Sequence, residues 1–473
     1  MIGAYPVRDI RAAETALMAR LPAGALMQRA AAALAARCAR LVEGPYGARV
    51  AVLVGAGDNG GDALYAGARL ARRGARVDAV LVSPERAHAQ GLAALRAAGG
   101  RVARDPRRAV AGSDLVVDGL VGIGGSGGLR AEAAALAELA REHGGLVVAV
   151  DLPSGVDADT GELPGAHVVA DVTVTFGARK IALVVDPAAA EAGHVDQVDI
   201  GLAPFLPEPT VEVLEPADVA DRLPRPGRDA NKYSRGVVGV LAGSSEFAGA
   251  AVLAVGGAIR GGAGMVRYLG PDDVARQVRH HWPEAVTASG KVRAWVAGPG
   301  LGSDAGRGGA LDTVLAAGEP AVVDADGLRF LPPRLETPIL LTPHAGELAR
   351  LLGADRHDVE ARRLHNARAA AARWNAVILL KGSTTLVVAP DGRVRANPTG
   401  TPALATAGSG DVLAGLAGAL LAAGLDPFDA GGVAAYVHGA AGRLAAETAG
   451  YPSATDVLDA LPSALHRAER IGE

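Results

Sequence analysis

Residues 49–83, RVAVLVGAGDNGGDALYAGARLARRGARVDAVLVS, decide how the first half of the chain is read. A β-branched run meets a glycine loop at 55–61, an alanine-rich segment carries on to Gly74, and a second apolar run closes at Ser83. Strand, helix, strand joined by a tight glycine turn is the unit of a parallel sheet covered on both faces. The same rhythm runs on through LVVDGLVG, GLVVAVDLPSG and DVTVTFG. It breaks at GLAPFLPEPTVEVLEP, 201–216, where Pro204, Pro207, Pro209 and Pro216 mark a boundary and imply domains at 1–208 and 209–473. Beyond it GVVGVLAGS, KVRAWVAGPGLG, EPAVVDADGL, TPILLTPHAGE and AVILLKGSTTLVV restore the alternation, ending in ATAGSGDVLAGLAGALLA, 405–422. Two α/β domains are expected.

Of the 473 residues nearly half are apolar, yet only 3% are aromatic, so the cores must close through alanine and glycine. A net charge of −4 with both signs interspersed offers no basic stripe for nucleic acid, which leaves small ligands. The single cysteine, Cys38 in RAAAALAARCARLV, reads as an apolar position on an amphipathic helix. Arg8, Asp9 and Arg11 precede any apolar run, and no window reaches about 18 uncharged apolar residues. A cytoplasmic enzyme without a membrane partner is the expectation.

In open parallel sheets ligands bind where strand ends, loops and helix starts meet. Asp58, Asn59 and Asp62 in the first glycine loop place too much negative charge for an ordinary pyrophosphate fingerprint, and the second strand ends in Ser83 rather than an acid. Such oxygens suit a hard cation or sugar hydroxyls. Two more strand ends supply partners, Asp118 in one and Asp151 and Ser154 in the other. Asn59, Asp118 and Ser154 are candidate cation ligands, with Asp151 left free for proton transfer; each alone also reads as a turn-forming residue.

In the second domain Gly408, Ser409 and Gly410 precede an apolar helix, a ready anion site, and Asp411 stands beside it. Asp411 is either a helix cap or a base facing whatever group attacks a bound phosphate.

The combination DNGGD, DGLVGIGGSGG and DLPSGVD resembles the YjeF N-terminal family of NAD(P)H-hydrate epimerases over roughly 5–205. The resemblance implies a Rossmann-like three-layer domain. It also implies that substrate is bound by Asp58, Asn59, Gly60, Gly61 and Asp62, by the loop of Gly122, Ile123, Gly124, Gly125, Ser126, Gly127 and Gly128, and by Asp151. Potassium would be held at Asn59, Asp118 and Ser154. Asp58 stands where the family usually has Asn.

From 209 to 473, GVVGVLAGSSEFAGAAVLA, AGPGLG, VVDADGL, LTPHAGELARLLG, LKGSTTLVV and NPTGTPALATAGSGDVLAG follow the order of the YjeF C-terminal, ribokinase-like family of NAD(P)H-hydrate dehydratases. That likeness implies contacts to the hydrate from Ala250 or Ala251, Gly300, His344 and Asp411. It implies ADP and Mg2+ at Lys381, Gly382, Ser383, Thr384, Thr385 and Gly410, with Asp324 and Asp326 candidates to order metal or water around the phosphates. The implied whole is a fused repair enzyme acting on NADHX and NADPHX, with Asp411 as base, assembled as a homo-oligomer. NKYSRG at 231–236 and Ala407 depart from the family pattern. The rival reading is a ribokinase-like vitamin or sugar kinase carrying a non-catalytic Rossmann-like binding module.

Overall fold

A computed structural model of the chain describes residues 1–302 and 306–471. It resolves into two compact units, one of Gly3–Val211 and one of Glu212–Glu473 with Met1–Ile2.

The first unit includes helices α1 (Val7–Met18) and α2 (Ala25–Leu41). Strand β1 (Arg49–Val54) passes through helix α3 (Asp58–Arg72) to β2 (Arg76–Leu81). There follow β3 (Arg101–Val102), β4 (Leu115–Gly119), β5 (Leu146–Val150), β6 (Val172–Phe176) and β7 (His194–Val198). All are parallel in the order β3-β2-β1-β4-β5-β6-β7. Alternation splits β1 between two cores: Val50, Val52 and Val54 pack with Leu34, Cys38 and Ala66, while Ala51 and Leu53 join Val116, Leu136 and Ala149. A strand buried on both faces therefore reads as an unbroken apolar run. Strand order reverses between β1 and β4, so the loops after these two strands diverge and leave a crevice between them. Burial pushes the Cys38 thiol up to about 12, so it is an inert apolar filler.

The second unit is built on β8 (Val237–Leu241), β9 (Met265–Tyr268), β10 (Ala294–Ala297), β11 (Ala321–Val323), β12 (Ile339–Leu341), β13 (Val377–Leu380), β14 (Thr385–Val388) and β15 (Val394–Asn397). Their order is β9-β8-β10-β11-β12-β13-β14-β15, parallel as far as β13, with β14 antiparallel to both neighbours. The stretch AVILLKGSTTLVV is thus two strands, and Lys381–Thr384 is the turn between them. Helices α4 (Ala248–Arg260), α5 (Ala345–Leu352), α6 (Ser409–Ala422) and α7 (Pro427–Ala449) complete the parts that matter below.

Helix α6 is buried from Val412 to Ala422, and it meets α4 almost backbone to backbone. A Cβ at Gly415 would lie 2.1 Å from the Ala254 carbonyl oxygen, and one at Gly257 would lie 2.4 Å from that of Val412. Close approach of this kind replaces the large rings that the composition lacks. Gly415→Ala should therefore overpack the pair, cost about 1–3 kcal/mol and lower the melting temperature of this unit. An unchanged melting curve would contradict the packing described. Among the described residues, no helix is long and apolar enough to cross a membrane.

Candidate active sites

At the crevice of the first unit, Asp118 near the end of β4 is fully buried. Its carboxylate accepts hydrogen bonds from Ser154 N at 2.9 Å, Ser154 Oγ at 2.7 Å and Leu120 N at 3.2 Å. Ser154 Oγ in turn accepts from Val121 N at 2.8 Å and lies 3.0 Å from Val121 O. Burial raises the Asp118 carboxyl to about 6, a rise that the donors only partly oppose. Asn59, in the first turn of α3, lies against Gly122: a Cβ there would sit 3.1 Å from Asn59 Oδ1. Its Nδ2 is buried without a partner. This donor set is all oxygen with one carboxylate, and a cation would offset the cost of burying that charge. It fits a hard monovalent ion, whereas no group of three His, Cys, Asp or Glu among the described residues could hold a metal.

Asp151 follows β5 with φ of +72°, a left-handed conformation uncommon for a residue with a side chain and often met at functional sites. The sequence suggests that it is free for proton transfer, but it is ion-paired with the buried Lys180. The same oxygen, Oδ1, also accepts from Thr175 Oγ1 at 3.3 Å and Phe176 N at 3.2 Å. Asp62 is half-buried next to this pair, with its Oδ1 buried and unpartnered. Burial, and then the charges of Asp151, Asp58 and Glu14, raise its carboxyl well above the usual range. Glu14 comes from α1 and is likewise raised, first by burial and then by Asp151. In the loop 122–128, Gly125 N donates to Gly122 O at 3.0 Å, and residues 124–127 lie open to solvent.

Sequence reasoning missed Lys180 and Glu14. A lone lysine inside GARKIALVV was the available signal for the first; nothing in the sequence singled out Glu14.

In the second unit, the start of α6 at Gly408, with φ of +90°, has no side-chain cap. Asp411 faces inward from the first turn of that helix, where burial raises its carboxyl to about 7; Asp324 adds to the rise and Lys381 opposes it. Lys381 Nζ lies 2.8 Å from Asp324 Oδ1 and 3.8 Å from Glu347 Oε2. Burial pulls this ammonium down, but Asp324 and Glu347 more than compensate and its pKa is raised. A Cβ at Gly410 would sit 3.3 Å from Lys381 Nζ and 3.7 Å from Asp324 Oδ2, so the glycine loop, the lysine and the acids form one cluster.

The turn after Lys381 is braced from below by the buried Arg363. Its guanidinium donates to the carbonyls of Leu380 at 3.2 Å, Lys381 at 3.1 Å and Thr384 at 3.2 Å. Thr385 Oγ1 donates to Gly382 O at 3.3 Å, and Ser383 is exposed at the tip. Gly300, with φ of +61°, packs so tightly on Ala250 that a Cβ would lie 2.7 Å from the alanine's own. His344 is a cap: its Nδ1 accepts from Gly346 N at 3.0 Å and Glu347 N at 3.2 Å, while Glu347 Oε2 accepts from His344 N at 2.8 Å. The carboxylate set is not a closed metal cage, since Asp324 is held by Lys381 and Asp326 accepts from Gly302 N at 2.9 Å. It suits Mg2+ arriving with a phosphate, which needs only one or two carboxylates from protein. His438 of α7 escaped notice in the sequence; it is buried, pushed down to about 4 by burial, and its Nε2 has no partner.

The two halves match two family descriptions. Residues 238–463 match "NAD(P)H-hydrate dehydratase" and residues 23–182 match "YjeF-related protein N-terminus". A bifunctional NAD(P)H-hydrate repair enzyme of Mycobacterium leprae is 48% identical over 461 residues, 94% of each chain. One from Mycobacterium tuberculosis is 48% identical over 436 residues, 89% of each chain. Among solved structures, an ADP/ATP-dependent NAD(P)H-hydrate dehydratase from Bacillus subtilis co-crystallised with ATP and Mg2+ superposes with a TM-score of 0.51 at 33% identity. That match covers 55% of this chain and 99% of the other. With likeness of this extent along nearly the whole length, the chain belongs to the family of bifunctional NAD(P)H-hydrate repair enzymes.

Proposed function

We propose that residues 1–208 epimerise the C6 hydrates of NADH and NADPH and that residues 209–473 dehydrate the S form at the expense of ADP. The carrying observation is the carboxyl of Asp411, raised to about 7, beside a glycine helix start and the half-buried Lys381. Such a carboxyl is a proton acceptor poised near neutral pH next to a phosphate cradle. Asp411 takes the proton of the C6 hydroxyl as that oxygen attacks the β-phosphorus of ADP, and AMP leaves. The phosphorylated carbon then loses phosphate and the neighbouring C5 proton, which restores the C5–C6 double bond. Lys381 and the N–H groups around Gly410 hold the phosphates, while Gly300 and Ala250 let the ring approach the backbone. Mg2+, when bound, neutralises phosphate charge. The dehydratase from Bacillus subtilis crystallised with ATP and Mg2+ supports the use of a nucleotide and this ion.

In the first unit, Asp62 is the acid that protonates the C6 hydroxyl, which departs as water while the ring nitrogen forms a double bond to C6. Water returns on the other face and gives its proton to Asp151, and exchange with solvent returns a proton to Asp62 and takes one from Asp151 before the next turnover. Asn59, Asp118 and Ser154 would hold potassium, which would offset the charge of the buried Asp118 carboxylate.

Product analysis separates this reading from a kinase. With S hydrate and ADP the protein should release phosphate, AMP and reduced nicotinamide; a stable phosphorylated product would overturn it. A second expectation concerns the cation. Epimerisation should rise with potassium, and Asp118→Ala should weaken that dependence because the one anionic ligand is lost. Equal rates with and without potassium would remove the cation assignment.

A further inference from the structure

Helix α1 lies outside the residues that either family description matches, yet it reaches the epimerase crevice. One guanidinium nitrogen of Arg11 donates to Ile123 O at 3.4 Å, and a Cβ at Gly124 would lie 3.4 Å from the same nitrogen. The loop 122–128 is therefore clasped between two side chains, with Asn59 against Gly122 and Arg11 over Gly124. Arg11 is exposed, and that single bond leaves most of its N–H groups open to solvent.

Charge gives this position a purpose. After burial, the charges of Asp151, Asp58 and Glu14 raise the carboxyl of Asp62; Asp151 and Asp58 raise that of Glu14 against Lys180 and Arg11, and the buried Lys180 is already paired with Asp151. A dinucleotide carrying a pyrophosphate would be repelled by such a crevice unless a cation stood where its phosphates lie. The loop offers exposed backbone over glycines, the usual partner of phosphate oxygens, and Arg11 overhangs that stretch. A guanidinium is suited to it, because its planar fork can bond two oxygens at once. We infer that Arg11 is the residue of the epimerase site that recognises the pyrophosphate of the hydrated dinucleotide. This rests on the proposed epimerase activity of the first unit.

The test compares wild type, Arg11→Ala and Arg11→Lys on two substrates: hydrated NADH and the hydrate of reduced nicotinamide riboside, which has no phosphate. Arg11→Ala should raise KM for the dinucleotide by about 10- to 100-fold with kcat within about twofold, and Arg11→Lys should recover part of it. The riboside hydrate should be turned over equally by all three. Added salt should weaken binding of the dinucleotide to wild type and barely affect Arg11→Ala. Unchanged turnover of the riboside hydrate reports that the first unit is folded. Equal losses on both substrates, or no loss on the dinucleotide, would overturn the assignment of Arg11. Absence of epimerisation by wild type on either substrate would instead overturn the epimerase reading itself.

Discussion

Asp411→Asn should reduce dehydration by about 10²- to 10⁴-fold, the usual worth of a positioned proton acceptor, while epimerisation continues at its normal rate. The amide keeps the shape of the side chain and removes its ability to take a proton. The pH dependence has a definite sign. A base works in its ionised form, so wild-type kcat/KM should fall about tenfold per pH unit below about 7 and level off above it. Stability should run the other way. The folded chain keeps a proton on Asp411 up to about 7, whereas the unfolded chain releases it near the ordinary value of 3.8. Stability contributed by this group is therefore fully present below that ordinary value and is lost as pH rises through the folded one, at a cost of order a few kcal/mol above neutrality. Asp411→Asn should melt higher than wild type at pH 8, with little difference near pH 4. A variant that dehydrated normally would remove the assignment of Asp411 as base, and one that melted lower at pH 8 would contradict the burial argument.

Lys180→Met should have the largest effect on the first unit. Lys180 is 1% exposed, and besides Asp151 its ammonium reaches Thr175 Oγ1 at 3.0 Å. Removing it strands the Asp151 carboxylate in a site already crowded by Asp62 and Glu14. Breaking a buried pair in this way costs about 3–5 kcal/mol, since the remaining charge is left uncompensated. Epimerisation should fall by at least about 10²-fold, because the carboxylate loses the cation that positions it. The double variant Asp151→Asn with Lys180→Met should regain much of the lost stability but none of the activity. If the double variant were as unstable as the sum of the single ones, the two side chains would not be energetically coupled. Dehydration assayed in the same protein shows whether the damage stays within the first unit.

Much of the architecture was legible because parallel strands buried on both faces announce themselves as apolar runs. The loops at their ends likewise hold polar residues that the sequence singled out, and Asp118 and Ser154, from two different strand ends, are hydrogen-bonded to each other. What escaped was long-range. Lys180 sits far along the chain from Asp151, and only the juxtaposition of β6 with the following segment makes them a pair. Glu14 and Arg11 lie on a helix whose sequence is ordinary for an amphipathic surface element. His344 carries both readings at once: its Nδ1 caps α5, while the rest of the exposed ring is left for the substrate contact that the resemblance implies. The antiparallel turn at Lys381–Thr384 was also hidden, since a glycine inside one apolar run does not by itself reveal a reversal.

The most direct test of two chemistries in one chain is to incubate separated R and S hydrates with wild type and with Asp411→Asn, in ADP, Mg2+ and potassium. Both epimers, phosphate and reduced nicotinamide are followed by chromatography. Wild type should convert both epimers completely to NAD(P)H with one phosphate released per molecule. Asp411→Asn should bring either pure epimer to the same R and S mixture and then stop, with no phosphate released. Formation of NAD(P)H by the variant at the wild-type rate, or persistence of the R form in the wild-type reaction, would contradict the account.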